Sequence, residues 1–244
     1  MQRQFNAELL KIRSTRTTIG LALGMVALVV LSALLTGLLT KASQLVTTED
    51  QRELLSAGTV ADLFASLAGI LLVTGEYRYG TIRPTFLFTP RRARVLAAKV
   101  AAGVLAGAAF GIAGAVLGFA IGYACLAGRG FDYALDGAQT ALLLLGTVGG
   151  AALWGGIGVG VGALVRNQVG AIIGVLAWGF VVENLLFALV PDLGRLGPNH
   201  AQTALLGLTT DHLLSAAPGG LVLAAWAGAL ALVGSAIAVR RDVV

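Results

Sequence analysis

IGLALGMVALVVLSALLTGLL, residues 19–39, runs for twenty-one residues without a charged side chain. A bilayer core about 30 Å thick is crossed by roughly 20 apolar residues in a helix, so this run is long enough to span. It is too long for the apolar core of a cleaved leader, and the basic segment before it is too extended for one. Residues 2–16, immediately upstream, are too polar to span. There Phe5, Leu9 and Ile12 fall at i, i+4 and i+7 on one helical face, among Arg3, Glu8, Lys11 and Arg13. That pattern predicts an amphipathic helix lying in the headgroup layer of the membrane lipid, apolar stripe down.

Downstream, five further apolar runs repeat the signal, at about 58–75, 95–125, 138–165, 169–190 and 219–239. Residues 41–56, with Glu49, Asp50 and Glu53, read as a loop, and 126–137 as a shorter one. Arg166-Asn167-Gln168 makes a tight turn between the fourth and fifth spans. Residues 191–217 mix polar and apolar character and carry both histidines, His200 and His212, which read as loop residues rather than metal ligands. Within that segment 201–208 is apolar enough for a re-entrant helix. The expected architecture is one all-α transmembrane domain of six spans with an N-terminal interfacial helix.

Composition agrees. Charged residues make up 12% of the chain and apolar ones 57%, whereas a soluble domain carries about a quarter charged residues. So little charge covers the ends of a helical bundle, not the whole of a globule. The net charge of +5 would raise nucleic-acid binding in a soluble protein, but its distribution says otherwise. With the N-terminus inside, thirteen of the seventeen basic residues fall in inside segments, six of them within 76–99; only Lys41, Arg52, Arg129 and Arg195 fall outside. The positive-inside rule then sets both termini in the cytoplasm. The basic balance reports topology, and no nucleic-acid partner is expected. Arginine far outnumbers lysine, a bias that with the abundant Ala, Gly and Val suggests a GC-rich bacterial genome and hence a bacterial plasma (inner) membrane. The one cysteine, Cys125, excludes an intrachain disulfide.

The 34 glycines are ordered. Gly103, Gly107 and Gly111 form one small-xxx-small ladder in the third span and Gly114, Gly118 and Gly122 a second. The fourth span adds Gly146/Gly150, Gly156/Gly160 and Gly158/Gly162, and the fifth Gly170/Gly174. Close van der Waals approach drives helix association in lipid, and glycine permits it. These ladders predict tight packing without saying which helices pair.

Chemistry-bearing motifs are mostly missing. There is no H-E-x-x-H, and none of the lysines (Lys11, Lys41, Lys99) follows a glycine, so no phosphate-binding loop ending in Gly-Lys-Ser/Thr exists. The sequence offers no catalytic set and no cofactor or metal site of its own. Two acids fall inside spans: Asp62 near the outer end of the second and Glu183 in the outer half of the fifth. An ionised carboxylate at a helix centre costs about 2.5–3.5 kcal/mol on the insertion scale, so each is expected to face protein or water. Either could line a substrate path. Either could instead be structural, paired with Arg129, Arg195 or a helix-capping amide.

The most polar stretch is TGEYRYGTIRPTFLFTPRR, residues 74–92. Thr81 can cap a helix, Pro84 suits its first turn, and Thr89-Pro90 stops it after about two turns. The outcome is a short helix presenting Phe86, Leu87 and Phe88 on the cytoplasmic side, either as a headgroup anchor or as a docking peg for a soluble partner.

This stretch resembles the G-E-x-R-x-G-T-I-R segment of type-2 permease subunits of ATP-binding cassette (ABC) exporters, matched by Gly75, Glu76, Arg78, Gly80, Thr81, Ile82 and Arg83. The continuation Pro84-Thr85-Phe86-Leu87, then Thr89-Pro90-Arg91-Arg92, looks like the actinobacterial branch. The amphipathic lead, six spans, outer segment and Arg-Arg-Asp ending are also similar. The resemblance implies a coupling helix seated on an ATPase subunit, with Phe86 and Phe88 as apolar contacts and Glu76, Arg78 and Arg83 setting register by charge. It implies two permease copies, or one with a close relative, above two separate ATPase subunits that bind the ATP and Mg. The cargo would be hydrophobic or amphipathic. Other classes explain less. An ion-driven secondary transporter predicts repeated halves with broken helices, and no clear repeat is seen; an immunity or scaffold subunit leaves Phe86-Leu87-Phe88 unexplained.

Overall fold

The structure, a computed structural model, describes residues 2–41, 45–81, 92–208 and 212–240. All regular structure among them is helical: α1 (Gln2–Ser14), α2 (Arg16–Leu39), α3 (Thr48–Leu55), a 3-10 turn (Ser56–Thr59), α4 (Val60–Arg78), α5 (Arg92–Gly128), α6 (Gly137–Val165) and α7 (Gln168–Ala177). A π-helical turn (Trp178–Val182) follows, then α8 (Glu183–Leu189), α9 (Pro191–Gly194), α10 (Pro198–Leu205) and α11 (Ala216–Arg240). Six helical stretches are long and apolar enough to cross a membrane: Arg16–Leu39, Thr48–Arg78, Ala93–Gly128, Gly137–Val165, Gln168–Leu189 and Ala216–Ile237.

The expected spans recur in order, with one notable difference. Residues 41–56 are not simply a loop. Thr47 caps α3 by accepting from the Asp50 amide at 3.2 Å, and the 3-10 turn carries α3 into α4. Gln51, Leu54 and Leu55 are buried there. Acids in the first turn suit the helix dipole, so the polarity that reads as a loop is the polarity of a helix start. At 37 residues, α5 is about 55 Å long and outreaches the bilayer core.

Helices α4, α5 and α6 form the centre. A Cβ added at Gly103 would lie 2.6 Å from the Val159 side chain, and one at Gly111 would lie 2.8 Å from the Ala151 Cβ. Gly107 likewise meets the Ala151 backbone, so the first ladder packs α5 on α6. Gly114 and Gly118 press on Gly58, and Gly122 on Leu55, so the second ladder packs α5 on the turn between α3 and α4. Gly158 closes on Ser66 of α4 and Gly160 on Leu230 of α11. The ladder at Gly170/Gly174 differs: Gly170 meets only its own turn and Gly174 has open space. Burial follows the same division. The apolar windows of the second and fourth spans are 67% and 61% buried, and that of the fifth only 6%.

The ends are sealed by side chains. Asp136 and Gln139 form a reciprocal capping box at the start of α6. Arg166 takes a left-handed conformation (φ 56°) to end α6, and Asn167 caps α7 through the Gly170 amide at 2.8 Å, which makes the tight turn. Buried Gln51 bonds Leu45 O, Asp132 O and the Ala134 amide. Arg129 donates to Gly37 O at 2.7 Å.

Candidate functional site

Helix α1 and the facing ends of α4 and α5 meet at one end of the bundle, here termed the basic end. The apolar stripe of α1 contains a carboxylate: Glu8 stands three residues after Phe5 and four before Ile12, on their face. That face is turned toward α5, with Phe5, Leu9 and Ile12 half-buried. The stripe expected to rest on lipid is therefore engaged by the bundle, because Glu8 must reach a partner.

That partner is Lys99, which is 1% exposed. Its Nζ lies 3.0 Å from both Glu8 carboxylate oxygens, 2.8 Å from Glu76 Oε1 and 2.9 Å from Leu72 O. Lys11 closes the group, with Nζ 3.0 Å from Glu8 Oε1 and 2.5 Å from Glu76 Oε1. Two lysines and two glutamates sum to zero charge, which is the condition under which a buried ionic cluster persists in an apolar setting. Burial lowers the Lys11 ammonium's proton affinity, but bonding to Glu76 and the charges of Glu8 and Glu76 outweigh this, so its pKa is raised above 10.5. Glu76 Oε2 is buried and accepts nothing among the described residues.

The family resemblance implies that Glu76 sets register with a partner by charge. Its carboxylate instead faces inward, so any influence on a partner passes through Lys99, Lys11 and the helices they hold. The residues that follow do face outward: Arg78, Tyr79, Gly80 and Thr81 are exposed, Tyr79 by 76%. Arg78 donates to Gln168 at 3.2 Å and its guanidinium lies 5.7 Å from the Tyr79 ring centroid. Gly80 takes φ 69°, a left-handed turn that glycine adopts without strain. Arg83, Thr85, Phe86, Leu87 and Phe88 lie outside the described residues.

The two intramembrane acids have different surroundings. Glu183 is buried, and its Oε1 accepts the His200 amide at 2.8 Å and lies 3.1 Å from His200 Nδ1; Oε2 accepts from Asn199 Nδ2 at 3.0 Å. His200 is the third residue of α10, so this carboxylate caps the helix from outside it. Gly197 leaves it room, since an added Cβ there would overlap the Glu183 side chain. Neither arginine proposed as a partner is used: Arg129 bonds Gly37 O and Arg195 pairs with Asp192. His200 thus belongs to a helix, stacked on Phe187 with ring centroids 4.2 Å apart. Helix α10 packs on α6 and α11, where 201–208 was expected to fold inward. Asp62, by contrast, is 8% exposed with Oδ1 unbonded.

The sequence signals for Lys99 and Glu8 were present. Lys99 is the single charge in the otherwise neutral run 95–125, near its start, and Glu8 interrupts an apolar stripe. Each demands a counter-charge, and three helices supply one another's.

What fold and site define together is an all-α, multi-pass membrane protein with six helices able to span. No family model matches the chain and no curated protein matches it.

Proposed function

We propose that this chain is the membrane-spanning subunit of an ATP-driven exporter, with both termini and the 76–94 segment in the cytoplasm of a bacterial cell. Two copies, or one and a close relative, would form the path, and two separate ATPase subunits carrying ATP and Mg would dock on 76–94. The observation that supports this most is the burial of Glu76 between Lys99 and Lys11. The stretch that resembles a coupling segment leaves the bundle from a point tied to α1, α4 and α5 at once. A push on that segment moves three helices together instead of bending one loop.

The test is purification of the tagged chain from its native membranes, followed by reconstitution. The expected result is a co-purifying protein with a Gly-Lys-Ser/Thr phosphate loop, whose hydrolysis is lost when its lysine is changed and whose ATP use drives transport. Transport by the chain alone, driven by an ion gradient, would overturn it. That second outcome is the prediction of an ion-coupled carrier, which the unbonded carboxylate of Asp62 favours.

A further inference from the structure

A cavity of about 890 Å³ lies over α4, between α2 on one side and α7 with the π-helical turn on the other, with α10 at its back. Small-molecule sites run from about 300 to 1,000 Å³, so the space is that of a drug-sized ligand, far more than a bare ion needs. One side is mostly apolar: Leu28, Leu31 and Leu35 of α2, with Ser32 and Thr36 beside them, face Val175, Leu176 and Phe180. Leu31 is 51% exposed and Phe180 70%, so the cleft opens sideways, toward where lipid lies. Trp154 adds an aromatic face.

The polar lining, from the end of α3, the 3-10 turn, α4, α8 and α10, is polar in a one-sided way. Its hydroxyl protons are engaged by backbone carbonyls: Ser56 on Glu53 O at 2.7 Å, Thr59 on Ser56 O at 2.9 Å, Ser66 on Leu63 O at 2.7 Å and Thr203 on Asn199 O at 3.0 Å. Its amide protons are engaged as well: Asn184 on Gly179 O, Asn199 on Glu183, and Gln202 on Gly146 O. What remains is acceptor capacity. Asp62, 8% exposed, accepts no hydrogen bond or ion pair among the described residues, and Gln202 Oε1, on a side chain 5% exposed, is also unbonded. Glu53 stands exposed among the lining residues, which include no Lys, Arg or His. This side therefore offers two carboxylates and lone pairs and few free donors, and the hydroxyls of Ser32 and Thr36 across the cleft carry no charge.

A ligand that fits must bring what the wall lacks: positive charge or N–H donors on one side, and apolar bulk on the other. We propose that this cavity is a binding site for amphipathic organic monocations, reached from the lipid side between α2 and α7, with Asp62 as the counter-charge. Aromatic faces at Trp154 and Phe180 suit the same ligand. The inference adds a ligand class to the export reading and does not need it, since binding requires neither nucleotide nor partner.

The experiment uses the full chain in nanodiscs with radiolabelled tetraphenylphosphonium, empty nanodiscs as background, and tetraphenylborate as a competitor of matched shape and opposite charge. Saturable binding of tetraphenylphosphonium, not displaced by tetraphenylborate, is expected. Asp62→Asn should weaken it by about tenfold or more, and Glu53→Gln by less. Asn has the size of Asp, and removing an unpaired buried charge does not threaten folding, so the variant should elute as the parent does. A filled cleft in Leu31→Trp should lower capacity for the cation. Binding indistinguishable from empty discs, equal displacement by the borate, or unchanged affinity in Asp62→Asn would each overturn the proposal. Cation binding by a chain that purifies from its native membranes without an ATPase and transports on an ion gradient would leave this site standing and remove the export reading alone.

Discussion

Helix α4 carries two buried carboxylates, Asp62 and Glu76, fourteen residues and about 21 Å apart. Glu76 is bonded by Lys99 and Lys11 within a neutral group of four charges. Asp62 Oδ1 has no such partner among the described residues. A third buried acid, Glu183, sits between these cases, held by amides and His200 without a fixed cation. Desolvating a carboxylate costs the same kind of free energy in each place, and only at the basic end does the chain itself supply the full offset. Where three helices are tied together, the charge is closed off. Where a cavity adjoins it, the charge is left for something else to complete.

Breaking the closed side should cost most. Lys99→Met strands Glu8 and Glu76 against an apolar side chain, and a loss of about 3–5 kcal/mol is expected, read as a large drop in melting temperature in detergent or failure to accumulate in membranes. Adding Glu8→Gln and Glu76→Gln to Lys99→Met should recover much of it, because the stranded charges go with their partner. If Lys99→Met melts as the parent does, the cluster does not hold α1.

Glu183→Gln sharpens the intermediate case. Glutamine keeps one acceptor for the His200 amide but sets a donor against Asn199 Nδ2, so a loss of about 1–2 kcal/mol is expected. Transport and ATPase stimulation should persist, since the carboxylate is engaged in capping α10; their loss with folding intact would assign it to the substrate path.

Lys11 is half-exposed, so Lys11→Met should cost less than about 1 kcal/mol near neutral pH. Its sign with pH is definite. The folded pKa is raised above 10.5, so the protonated side chain stabilises the fold fully below 10.5 and ceases to do so as pH climbs through the higher folded value. Melting followed from pH 9 to 12 should fall more steeply in the parent than in Lys11→Met; parallel curves would separate Lys11 from the cluster. Smallest of all, Asp62→Asn should leave melting unchanged or slightly raised, because no bond is lost. A marked fall would mean that Asp62 has a structural partner.

Periodicity and length made the six spans legible, because a helix in lipid has little choice but to be apolar along its whole course. The glycine ladders foretold tight packing, yet Gly114, Gly118 and Gly122 read the same as Gly103, Gly107 and Gly111 although they meet a different element. Small residues state that something comes close, not what. The segment 41–56 misled because a helix N-terminus and a loop share the same polar residues. Lys99 and Glu8 stood out as exceptions in their runs, but pairing them needs the three-dimensional approach of α1 to α5, ninety-one positions away. In sequence Glu183, farther inside its span, reads as the stronger candidate for a substrate path and Asp62, near a span end, as the weaker; that Glu183 caps α10 cannot be read there.

In the proposed exporter the surface beginning at Arg78 is cytoplasmic and meets an ATPase. Tyr79, 76% exposed, is the position to probe, as Tyr79→Cys in a Cys125→Ala background, expressed with the native partners. No reaction is expected with an impermeant maleimide added to intact cells, and a thiol cross-link is expected in broken membranes to a protein bearing a phosphate-binding loop. Labelling of residue 79 from outside intact cells, or a cross-link only to proteins without such a loop, would contradict it.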